Sequence, residues 1–125
     1  MIVKIGAKEI EMTSSALTSL AYKKLFGQDI LAIIGGFKGT DKASEKAYDA
    51  LDTVVQLGFI MAMQASKPIN EFMKLTELDF YEWVNQFKYT ELYQSEVVDK
   101  ILDVWSKNLN TGVEGKNAKG EAAGR

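Results

Sequence analysis

The stretch TVVQLGFIMAMQAS, residues 53–66, decides how this chain folds. Val54, Val55, Leu57, Phe59, Ile60, Met61 and Met63 leave it apolar on almost every side, with Gln56, Gly58 and Gln64 as the interruptions. Such a segment enters a bilayer, fills a core or receives a partner. A membrane span needs about 20 mostly apolar residues. Here Asp52 and Lys67 bracket the run, and two glutamines lie inside it, so the bilayer reading fails. A helix apolar all round is the enclosed central helix of a bundle, which is the reading adopted for residues 53–65. Met61 and Met63 beside Gly58 also suit an adaptable groove for a partner helix, because methionine packs softly against varied shapes.

Upstream, Ala43, Ala47, Ala50, Val54, Leu57, Gly58, Met61 and Ala65 recur at helical spacing. The helix therefore begins near Thr40 or Asp41, either of which supplies a cap, and ends at Lys67-Pro68. Before it, QDILAIIGGF reads as a short apolar helix broken at Gly35-Gly36. GGFKGT, residues 35–40, is a hinge and not a phosphate loop, since Lys38 precedes the final glycine instead of following it. Residues 13–27 form another helix, capped from Thr13–Ser15, with Leu17, Leu20, Ala21 and Phe26 near one face and Gly27 at its end. Ile2, Val3, Ile5, Ile10 and Met12 alternate around GAK, the pattern of a hairpin over 1–12 that needs helices to rest on.

Downstream, INEFMKL gives a short helix, and Thr76-Glu77-Leu78-Asp79 has the spacing of a capping box. The helix that follows puts Phe80, Trp83, Val84 and Phe87 on one face. A last helix is expected from Thr90, with a stripe of Val97 or Val98, Ile101, Leu102, Trp105 and Leu109, and an Asp103–Lys107 pair outside. After Asn110, TGVEGKNAKGEAAGR has too little apolar content to offset its ordering entropy and reads as a flexible tail. The expected architecture is mainly α: a compact bundle of about five to six helices with a short N-terminal β-hairpin, one domain over 1–110 and a disordered tail over 111–125.

Composition limits function. The chain of 125 residues has no cysteine and no histidine, which excludes Cys/His zinc sites, thiol nucleophiles and Ser-His-Asp chemistry. Catalysis would have to rest on carboxylates, Lys, Tyr or Ser, and no enzyme, cofactor or metal is expected. Glu77, Asp79 and Glu82 diverge on a helix, and acids near a helix start are favoured by its dipole. A net charge of −2 gives no overall field for nucleic acid. The opening MIVKIGAKEIEM lacks a signal peptide's apolar run, so a cytoplasmic protein is expected.

Seven aromatic residues fall between 72 and 93, namely Phe72, Phe80, Tyr81, Trp83, Phe87, Tyr89 and Tyr93. Core packing accounts for most, but interfaces are also rich in such side chains. Phe80, Trp83, Phe87 and Tyr93, with Met61 and Met63 nearby, are therefore the candidate partner-binding residues.

The opening IVKIGAKEIEM, the helical body, LTELDFYEWVNQF with its final amphipathic helix, and the polar Gly/Lys/Glu/Ala tail together resemble the tail assembly chaperones of long-tailed bacteriophages and prophages. The resemblance covers about residues 1–110 in layout and contains no catalytic motif. It implies a non-enzymatic helper that coats the tape-measure protein, recruits tail tube subunits, self-associates and is absent from the finished particle. It also implies a longer form made by ribosomal frameshifting near the end of the reading frame. The competing expectation is a structural head-tail or tail-completion protein that stays in the virion, or another helical protein-interaction module.

Overall fold

The computed structural model describes residues 1–34 and 51–109. The described elements are a two-stranded hairpin and seven helices. They are β1 (Ile2–Ile5), β2 (Lys8–Glu11), α1 (Ala16–Phe26), α2 (Ile30–Ile34), α3 (Leu51–Ser66), α4 (Ile69–Phe72), α5 (Glu77–Asn85), α6 (Tyr89–Leu92) and α7 (Ser95–Leu109). The expected start of the long helix at Thr40 or Asp41, the GGFKGT hinge and the tail lie outside the described residues.

β1 and β2 pair antiparallel, with Val3 opposite Ile10 and Lys4 opposite Glu9. Gly6 turns the corner at φ 62. A Cβ there would also meet the movable end of the Glu91 side chain at 2.6 Å, but it is the positive φ that calls for glycine. The hairpin is not free-standing. Its Val3, Ile5 and Met12 side chains are fully buried against the helices, which supplies the apolar face that two strands alone lack.

Local chemistry sets the helix ends. Ser15 caps α1 by accepting from the Leu17 N–H, while its own N–H donates to Thr18 Oγ1 at 2.9 Å. Gly27, left-handed at φ 74, closes α1 by donating to the Lys23 carbonyl. α3 stops at Ser66, ahead of Pro68. Thr76 and Asp79 form the expected capping box of α5. The last helix departs from expectation: Thr90 lies inside the single turn α6, and α7 begins at Ser95. Lys88 and Glu91 hold that turn, the Glu91 carboxylate accepting from the Lys88 N–H at 2.9 Å, and this local closure divides one expected helix in two.

α3 is the central element, as its composition requires. Val54, Val55, Leu57, Phe59, Ile60, Met61 and Ala62 are all buried, in contact with α1, α4, α5, α7 and β2. Its glutamines are structural. Tyr22 donates to Gln56 Oε1 at 2.7 Å, and Thr18 donates to Gln64 Oε1 at 2.6 Å, while Gln64 Nε2 donates to Ser15 Oγ. These bonds fasten α1 to α3 and satisfy polar groups that burial would otherwise penalise. One expected face is rotated: Leu20 is 63% exposed and Tyr22 is enclosed instead. Among the described residues, no helix is long and apolar enough to cross a membrane.

Candidate partner-binding surface

The sequence nominated Met61, Met63, Phe80, Trp83, Phe87 and Tyr93, and the structure separates them. Met61 is fully buried, and Phe80 and Trp83 are buried at 9% and 7% exposure. These three are core side chains and do not form a contact surface. The physical reason is Phe59, which projects from α3 into the aromatic cluster. Its ring packs edge-on against Phe80 at 5.4 Å and against Trp83 at 5.7 Å. Phe26 closes on Phe80 at 5.4 Å, and Phe87 on Trp83 at 5.1 Å. Each such pair adds about 0.5–1.5 kcal/mol beyond the area it buries.

Met63 and Phe87 are half-buried at the margin of the core. Tyr93 belongs to a different group. It stacks on Tyr89 with ring centres 4.7 Å apart, and its hydroxyl donates to Asp52 Oδ1 at 2.9 Å, joining the end of α6 to the first turn of α3. Burial, followed by the bond to Asp52 and that residue's negative charge, pushes the Tyr93 hydroxyl up to about 12.

None of the six nominated residues is among the most exposed large apolar side chains. Leu78 and Tyr81, three residues apart on one side of α5, are 64% and 59% exposed, and Ile69, Leu20, Leu31 and Tyr89 also face solvent. The signal lay in the same periodicity that found Phe80 and Trp83: the opposite side of that helix carries Leu78 and Tyr81 instead of charge alone. Among the described residues, no group of three acidic, His or Cys side chains is placed to hold a metal ion. The pocket lined by Ala21, Lys24, Ile60, Phe72 and Met73 has about 10 Å³, room for about one water molecule. It is too small for a substrate.

No protein-family model matches this chain, and neither the curated proteins nor the solved structures contain a match.

Proposed function

We propose that this chain is a tail assembly chaperone of a long-tailed bacteriophage or prophage, binding the tape-measure protein and helping to recruit tail tube subunits in the host cytoplasm. The observation that supports it most is the exposed pair Leu78 and Tyr81 on a helix whose other side is fully engaged in the core. That arrangement leaves apolar surface for another protein while the fold stays intact. Met63, Phe87 and Tyr93, each half-buried, keep part of their side chains accessible elsewhere on the surface. A long helical ligand offers many equivalent sites, so modest individual contacts suffice when many copies bind along it. The layout of hairpin, helical body and final amphipathic helix agrees with the resemblance drawn from the sequence.

Capture of the chain from producing cells, followed by mass spectrometry, is the test. The expected partners are a tape-measure protein, tube subunits and a longer product sharing this N-terminus, with none of the chain in purified particles. Recovery of portal or connector proteins, or the chain's presence in finished virions, would transfer the reading to a structural head-tail or tail-completion protein. Metabolic enzymes without tail components would remove both.

A further inference from the structure

β1 has one edge engaged and one open. The Met12 N–H donates to the Met1 carbonyl at 2.9 Å, and the Met1 nitrogen donates to the Met12 carbonyl at 2.9 Å. Bond-exchanging pairs alternate along an antiparallel ladder. With Val3 opposite Ile10 and Ile5 opposite Lys8, it is therefore Met1, Val3 and Ile5 that turn their backbone groups toward β2. The N–H and C=O groups of Ile2 and Lys4 point the other way, and β1 has no second neighbouring strand among the described residues. A bare edge of this kind is a template for another chain.

That edge borders an open groove of about 700 Å³, with Ile2 and Lys4 on one wall and Glu96, Asp99, Lys100 and Asp103 of α7 on the other. A strand added to β1 would lie about 4.8 Å away, with alternate side chains directed toward α7. There it would meet three carboxylates, none of which has a salt-bridge partner among the described residues. Lys100, four residues after Glu96, offsets one of them, and Lys4 stands on the opposite, β1 wall of the groove. The helix side of the groove thus keeps a surplus of negative charge. A second copy paired through the same edge would carry its own α7 carboxylates to the junction, which like charge opposes.

We infer that the β1 edge receives an extended segment of a partner protein as a third strand, with lysine or arginine at the alternate positions that face α7. The backbone ladder provides the attachment, and the carboxylates of α7 choose the sequence. This inference stands on the groove alone and does not depend on the proposed function.

The probe is a synthetic peptide of alternating lysine and valine, titrated into the full chain while backbone amides are followed by NMR. The expected result is saturable binding with the largest shifts at Ile2 and Lys4, weakened by added salt. Lys4→Pro removes an outward N–H that the β2 ladder does not use, and is expected to weaken binding about tenfold while the circular dichroism stays unchanged. Asp99→Lys with Asp103→Lys, both on the exposed side of α7, is expected to reject the lysine peptide and accept a glutamate–valine one. This second variant decides the matter if Lys4→Pro fails to fold. No binding at millimolar peptide, shifts confined to another surface, or an affinity unchanged by the charge reversal would overturn the inference. So would a wild-type dimer in sedimentation that is dispersed by Lys4→Pro, since the occupant would then be a second copy.

Discussion

Tyr93 shows how a single side chain makes the fold sensitive to pH. Its hydroxyl is pushed up to about 12 by burial and by Asp52, against an ordinary value of 10.0. Tyr22 is raised by burial too, against a smaller opposing pull from the Thr53 hydroxyl. A group that holds its proton more tightly when folded stabilises the fold fully below its unfolded value, and that contribution disappears as pH rises through the folded value. The urea midpoint is therefore expected to fall between about pH 10 and about pH 12. Tyr93→Phe should flatten that slope and leave Tyr22's share; an identical slope in the variant would show that Tyr93 ionises freely. None of this was legible in the sequence, because periodicity assigns a face and not a partner. Gln56 and Gln64 illustrate the same gap: their polarity argued against a membrane, yet their bonds to Tyr22 and Thr18 needed the packed helices to appear. Trp105 was correctly placed in the stripe of α7, where its indole N–H meets no acceptor among the described residues.

Between elements, the contact of α3 with α7 is set by one missing side chain. A Cβ on Gly58 would lie 2.9 Å from Ile101 Cδ1, and Ile101 is fully buried. Alanine would gain about 1 kcal/mol in helix propensity, while overpacking costs about 1–3 kcal/mol. Gly58→Ala is thus expected to destabilise modestly. Ile101→Val alone should cost about 0.5–1.5 kcal/mol, but the double variant should cost less than the sum, because valine lacks the obstructing methyl. Strict additivity in urea denaturation would show that α7 simply shifts aside. Boundaries at this scale were largely readable: Ser15, Gly27, Pro68 and the Thr76–Asp79 box act through neighbours in the chain. The break between α6 and α7 was not, since the Lys88–Glu91 closure competes with a continuous helix that propensity alone favours. Asp103 and Lys107, spaced for an ion pair, make none.

Across the whole molecule, the aromatic residues divide into those that hold the fold and those available to others. Phe80→Ala or Trp83→Ala should cost about 3–5 kcal/mol, whereas Tyr81→Ala or Leu78→Ala should stay within about 0.5 kcal/mol. Equal urea midpoints for the two classes would contradict the packing around Phe59. The mainly helical class was legible because residues 53–66 read best as an enclosed helix, and the docked hairpin because Ile2, Val3, Ile5, Ile10 and Met12 alternate. Which aromatics that core would consume was not, because it depends on where Phe59 points. A further consequence follows from the Ser14 hydroxyl, which donates to the Val104 carbonyl at 2.8 Å, and from the seating of β1 on α7. A strand at residues 2–5 thus rests on a helix that is made about ninety residues later, by the numbering of β1 and α7. At about 5–20 residues per second, Val3, Ile5 and Met12 wait on the order of ten seconds for that helix to emerge. Until α7 emerges, the nascent hairpin has only its contacts with α3 to rest on, and the β1 side of its apolar face stays uncovered.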